Sequence, residues 1–211
     1  MKGNFLAVDT SNGYLTILAR KDGCVHTLYE PDCAAQHSVR LMPAAEEALA
    51  ALSLPPADCA FFCAVTGPGS FTGIRIGISA VKGLCAATGA PALGVTSLEA
   101  LAYTAEGSAL SVVPAGRGFY YVCAFGGDKR PLFGPARVDG EELARLAAAY
   151  PAYSVQPLPV PHTLADPAAG LLAAIEAAGE DRLGELAAFY LKKSQAEEER
   201  EKMSAAREGR A

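Results

Sequence analysis

The stretch that most constrains this chain is "CAFFCAVTGPGSFTG", Cys59 to Gly73, which opens directly onto "IRIGISAVKGLCAAT". A continuous apolar run of this kind reads as a strand covered on both faces. A glycine-rich turn from such a strand into a helix is the connection with which α/β folds often hold phosphate. The turn itself, Gly67 to Gly73, fits neither common phosphate fingerprint. A P-loop requires Lys after its second glycine, and Ile74 follows Gly73. The G-x-G-x-x-G pattern fits Gly67 and Gly69 but finds Thr72 in its third place, with Gly73 one position late. What remains is a helix N-terminus with free amides and the hydroxyls of Ser70 and Thr72, suited either to an anion or to capping the helix.

The helix that follows is unusual in a different way. Between Gly73 and Thr88 its only charges are Arg75 and Lys82, seven residues apart and therefore on one narrow face. Gly73, Gly77 and Val81 share another face, and Ile74, Ile78 and Val81 line a third. Glycine inside a helix costs roughly 1 kcal/mol relative to alanine, so a closely approaching backbone is the natural compensation. A helix apolar nearly all round is buried on more than one side. Its own sheet accounts for one side, and a contact between subunits is expected on the other.

Around this block the pattern alternates between strands and helices. Phe5 to Val8 reads as a buried strand ended by "DTSNG", Leu15 to Ala19 as a second, and "KDG" as a hairpin turn into "CVHTLYE". "SVRLMPAAEEALAAL" carries apolar residues, Leu41, Ala45 and Leu49 among them, near the helical period. Pro43 falls in the first turn if that helix starts near Leu41, and kinks it if the start is Ser38. "GAPALGVTS" follows a helix stop at Gly89 and predicts a short buried strand, with Ser97 as the N-cap of the next helix. "LSVVPAGRGFYYVCAF" predicts two strands around a glycine turn, "GEELARLAAAY" a helix, and "YSVQPLPVPHTLADP" a loop. "AAGLLAAIEAAGE" and "LGELAAFYLKK" read as helical or mixed segments. A break falls between Thr104 and Ser108.

Composition narrows the function. The 211 residues carry a formal charge of -5, which argues against gripping nucleic acid unaided, because phosphate binding rests on Lys and Arg. The six cysteines form no C-x-x-C pair and read as small buried hydrophobes of a reducing cytosol, with Cys59 and Cys63 on one strand face. The N-terminus lacks the apolar length and cleavage site of a signal peptide, and no apolar run reaches membrane-spanning length. A cytoplasmic chain is expected. The three histidines form no H-x-x-x-H pair, and His37 reads as a capping or surface residue. G-x-S-x-G is absent, so no nucleophile elbow is expected. Asp9, Thr10 and Ser11 open an acidic, hydroxyl-rich turn that either faces phosphates or caps its own backbone.

"GPGSFTGIRIGISAVKGLCAATGAPALGVTSLEALA", Gly67 to Ala102, resembles the signature block of the TsaB (YeaZ) family almost residue for residue. "FLAVDTS", "HSVRLMPAAEEAL" and "FYLKKSQAEEER" are similar to further family segments, in the same order. The resemblance implies an α/β fold of the actin-like, Hsp70-like ATPase (ASKHA) type, two related subdomains with mixed sheets flanked by helices. The division it implies is residues 1–105 and 106–193, with a charged tail over 194–211.

The resemblance also implies a function. Family members are accessory subunits that work with TsaD and TsaE in making threonylcarbamoyladenosine on tRNA, and are not thought to catalyse the transfer. Leu41 stands where the second histidine of TsaD's H-x-x-x-H would be. The partner interface implied involves Leu41, Ala45, Leu49, Gly73, Ile74, Gly77, Ile78 and Val81, facing TsaD or a second copy of the chain when alone. Contact with tRNA is implied only through the complex, and no membrane is involved. No cofactor is firmly expected, although the resemblance admits ATP or ADP at the complex interface. Asp9, Thr10, Ser11, Gly67, Gly69, Ser70 and Thr72 are the candidates for a vestigial nucleotide or anion site. The competing expectation is an independent actin-like ATPase or small-molecule kinase using Asp9 and the Gly67–Gly73 turn. Family members usually carry an acidic residue where this chain has Ala115, while Arg117 is kept.

Overall fold

The computed structural model describes residues 1–191; the expected tail over 194–211 lies outside them. The chain opens with three antiparallel strands, β1 (Phe5–Asp9), β2 (Leu15–Lys21) and β3 (Cys24–Glu30). Asp22 and Gly23 join the last two with φ of 50° and 88°. Two positive φ values in succession match the strand twist of a tight hairpin. Helix α1 (His37–Ala51) then leads to β4 (Phe61–Val65), α2 (Phe71–Thr88) and β5 (Ala92–Val95). β4 runs parallel to β1 and β5 parallel to β4.

After α3 (Ser97–Ala102) the chain builds a second sheet from β6 (Ala109–Gly116), β7 (Phe119–Phe125), β8 (Pro131–Val138), β9 (Ala152–Ser154) and β10 (Thr163–Leu164). Helix α4 (Gly140–Ala149) lies between β8 and β9. The chain then returns to the first sheet through α5 (Pro167–Ala177) and β11 (Leu183–Gly184). The strand orders are β11-β5-β4-β1-β2-β3 and β10-β9-β6-β7-β8, both mixed parallel and antiparallel.

β4 shows why its sequence is apolar at every position. Phe62 and Ala64 point into a core shared with α1 and α2, while Phe61, Cys63 and Val65 point into a second core closed by α5. Side chains alternate along a strand, so a sheet covered on both faces has no place for a polar residue at its centre.

Several local expectations change in three dimensions. Of the two placements open for Pro43, the early helix start holds: Pro43 lies inside α1 and deprives the Val39 carbonyl of its helical donor. Cys59 and Cys63 face opposite cores, because Cys59 precedes the strand and does not follow its alternation. Thr96, not Ser97, caps α3: its hydroxyl accepts from the Glu99 amide, and Glu99 accepts in return from the Thr96 amide at 2.8 Å. β8 has no counterpart in the sequence reading, since Pro131, Gly134 and Pro135 obscure it. An edge strand tolerates such residues because one side of its backbone needs no partner. The segment from Leu183, read as helical or mixed, begins as a strand: β11 pairs with β5, and Leu186 enters the first core.

Candidate functional site

The turn after β1 is a closed polar network. Asp9 is buried, and one of its carboxylate oxygens accepts from the Ser11 amide at 2.8 Å and the Ser11 hydroxyl at 2.6 Å. The other accepts from the Tyr14 hydroxyl at 3.0 Å. The Ser11 and Ser97 hydroxyls meet at 3.0 Å, which ties the turn to α3. Burial pushes the Asp9 carboxyl above the usual carboxylate range, against the opposing pull of the Ser11 and Tyr14 hydrogen bonds. Burial, and then the neighbouring Asp9, hold the Tyr14 phenol well above its ordinary value. His37 is neither a cap nor a surface residue. It is buried, with Nε2 at 2.9 Å from the Tyr14 carbonyl oxygen.

The glycine turn packs straight onto this network. The Ser70 amide donates to the Ser11 carbonyl at 2.6 Å, and the Thr10 hydroxyl donates to the Gly73 carbonyl at 2.7 Å. A Cβ at position 69 would overlap the Ser11 carbonyl, and one at 73 the Thr10 carbonyl. One at 77 would stand 2.6 Å from Thr10 Oγ1. These three glycines are therefore required by the approach of the β1–β2 turn. Ser70 caps α2, accepting from the Gly73 amide at 3.2 Å. Thr72 is exposed, and the Gly67 carbonyl accepts from the Ser97 amide at 2.9 Å. The seven nucleotide or anion candidates thus come together, and Asp9, Ser11 and Ser70 satisfy one another while Gly67 accepts from Ser97 and Thr72 stays exposed.

Two spaces adjoin the network. Asp9, Tyr14, Ser97 and Asp166 line a pocket of about 20 Å³, room for a water molecule and not for a nucleotide. On the other side of the turn, Asn12, Ser70, Ala115, Tyr121 and Gln156 border an open cleft of about 290 Å³ between the two sheets. Among the described residues no charged side chain lines that cleft.

The expected interface residues lie on the inward sides of α1 and α2. Leu41, Ala45, Leu49, Gly73, Ile74, Gly77, Ile78 and Val81 are all buried within the chain itself. Both α1 and α2 pack on one face of the first sheet, and these residues are the side they turn inward. The side turned outward is a groove of about 570 Å³ between the helices, with Met42, Phe71, Arg75, Ile76 and Ala80 on its walls. Val39 and Met42 on α1 are 71% and 42% exposed, high for apolar side chains. The Arg75 guanidinium lies 3.8 Å from the Phe71 ring centroid, and its Nε donates to the Tyr190 hydroxyl at 3.0 Å. Tyr190 stacks on Phe71 with centroids 4.7 Å apart. Sequence reasoning placed Arg75 only as a charge on an apolar helix. Tyr190 comes from the far end of the chain, and nothing local in the sequence joins it to Phe71.

Two mixed sheets flanked by helices, with the turns of the first facing a cleft to the second, define an actin-like α/β fold. Among solved structures, YeaZ from Pseudomonas aeruginosa matches with a TM-score of 0.70 and 24% identity, over 83% of this chain and 92% of that one. A Pseudomonas aeruginosa protein described as similar to peptidase YeaZ matches with a TM-score of 0.76 and 24% identity, over 90% of this chain and all of that one. Residues 27–156 match the family model described as TsaD, tRNA N6-adenosine threonylcarbamoyltransferase. The chain belongs to this family, among its TsaB (YeaZ) members.

The tRNA threonylcarbamoyladenosine biosynthesis protein TsaB of Bacillus subtilis is 39% identical over 97 residues, covering 46% of this chain and 42% of that protein. The Escherichia coli protein of the same name is 33% identical over 97 residues, also 42% of its length. The matched part thus spans less than half the length of these two relatives. An uncharacterized Mycobacterium tuberculosis protein is 32% identical over 198 residues, 90% of this chain and 92% of that one.

Proposed function

We propose that the chain is a non-catalytic partner subunit in the biosynthesis of threonylcarbamoyladenosine on tRNA. In this reading it supports threonylcarbamoyl transfer by TsaD, together with TsaE, to the adenosine next to the anticodon. The observation that carries the reading is the closure of the two phosphate-type turns on each other. The Ser11 carbonyl takes the Ser70 amide that an anion would need, and Asp9 is spent on Ser11 and Tyr14. Preorganised donors stabilise charge only when they are free to point at it. The names of the TsaB relatives supply the pathway.

The outward groove between α1 and α2 is where we place TsaD, or a second copy of the chain when it is alone. Exposed apolar side chains around an arginine held by two aromatic rings are the composition of an interface centre. ATP or ADP, where the complex uses it, belongs at that junction, and tRNA is reached through the complex. The setting is the cytoplasm; among the described residues no helix is long and apolar enough to cross a membrane.

Reconstitution tests the reading. TsaD, TsaE and the threonylcarbamoyl-adenylate synthase are incubated with tRNA, with and without this chain, and modified adenosine is quantified. Modification is expected to depend on the chain. Equal modification without it would overturn the proposal.

A further inference from the structure

Arg137 is a cation without a counter-charge among the described residues. It stands on β8 opposite Tyr121 of β7, so the two side chains share one face of the second sheet. Tyr121 lines the cleft between the sheets, which places Arg137 one strand, about 4.8 Å, beyond the cleft wall. The guanidinium lies over the Phe119 ring, 3.6 Å from its centroid, and its Nε is buried without a hydrogen-bond partner. No carboxylate among the described residues forms an ion pair with it, although Arg20, Arg40, Arg130, Arg145 and Arg182 each have one.

Buried donors in folded proteins are nearly always satisfied, and the Arg137 Nε, like the Arg20 Nε, is an exception that a water or a small polar group would satisfy. Stacking on Phe119 fixes the plane of the guanidinium; Nε is covered, and the two terminal nitrogens, which are not among the buried atoms, are the donors open to a carboxylate or phosphate. The cleft beside it adds neutral hydrogen-bonding groups, Asn12, Ser70 and Gln156, and no second charge. One cation with neutral partners suits a ligand with one anionic group, and leaves the several charges of a nucleoside triphosphate uncompensated.

We infer that Arg137 anchors a binding site for a small polar metabolite with a single anionic group, held by its carboxylate or phosphate monoester at the edge of this cleft. The site is independent of the α1–α2 groove and does not rest on the function proposed above.

The test follows the Arg137 Nε–Hε signal by NMR in the full chain. Sodium acetate and sodium phosphate are the probes, titrated separately at constant ionic strength. A saturable shift of that signal with either probe is expected, and the two titrations distinguish carboxylate from phosphate preference. Following the Tyr121 ring signals, Arg137→Gln is expected to abolish saturation. Arg137→Lys keeps the charge but loses the planar fork, and is expected to weaken binding about tenfold. Arg117→Gln, at the exposed hairpin tip, is expected to change nothing. A shift that stays linear with both probes, or equal affinity in a folded Arg137→Gln or Arg137→Lys protein, would overturn the site.

Discussion

Asp9 is the residue whose meaning depends most on what surrounds it. Its carboxyl sits above the ordinary carboxylate value of 3.8 because burial outweighs the hydrogen bonds from Ser11 and Tyr14. A raised value in the folded state means the fold binds this proton more tightly than the unfolded chain does. The contribution of Asp9 to stability is therefore fully present below pH 3.8 and falls as the pH rises through the window up to the raised value. Asp9→Asn keeps an acceptor for Ser11 and removes the buried charge. Urea unfolding across that window is expected to show a flatter pH dependence than the parent chain. Asp9→Ala instead strands the Ser11 amide, the Ser11 hydroxyl and the Tyr14 hydroxyl, and is expected to cost about 3 kcal/mol. A loss of tRNA modification by Asp9→Asn, with stability and TsaD binding intact, would return Asp9 to a chemical role. At the same scale, Gly73→Ala is expected to cost about 3 kcal/mol or more, because the Thr10 carbonyl it meets is backbone and cannot swing aside. Thermal unfolding measures it.

At the scale of elements, α2 has two different apolar sides. Gly73, Gly77 and Ile74 face the sheet, while Ile76, Ala80 and the Arg75–Phe71–Tyr190 cluster face outward with Met42 of α1. A bulky residue at Gly77 is therefore expected to damage the fold, since its Cβ would press on Thr10 Oγ1, and it cannot report cleanly on association. The informative substitutions are Met42→Glu and Arg75→Ala. Each is expected to leave the melting temperature nearly unchanged while weakening binding to TsaD at least tenfold, as measured by calorimetry. Unchanged affinity in both would remove the groove from the interface.

The whole molecule is tied together by a return crossing. Leu171, Ala174 and Ile175 of α5 close the core beneath Phe5, Phe61 and Leu93, and β11 extends the first sheet. We propose a division near residue 105 between the two sheet units, with α5 and β11 completing the first unit from the far end of the chain. A fragment of residues 1–105 would leave that apolar core open to water, at a cost of roughly 25 cal/mol per Å² of exposed apolar surface. It is expected to lack a cooperative unfolding transition by calorimetry. Fusing residues 165–191 to it through a flexible linker is expected to restore one.

The sequence by itself determined the strands and helices of residues 1–95 almost element by element, because their signals are local. "CAFFCAV" is apolar at every position, Asp22-Gly23 permits a tight hairpin, and Gly89 ends α2 in a left-handed cap. It also marked the turns at Asp9 and Gly67 as belonging together in one kind of protein. It could not say that those turns consume each other's hydrogen bonds, nor which side of α2 its glycines serve. It carried no sign of Tyr190 over Phe71, or of Arg137 over Phe119. Those are contacts between residues distant along the chain or on neighbouring strands, where periodicity is silent. Only the tertiary structure decides them, because a hydrogen bond or a close approach depends on which backbone arrives opposite, and local propensity carries no record of that.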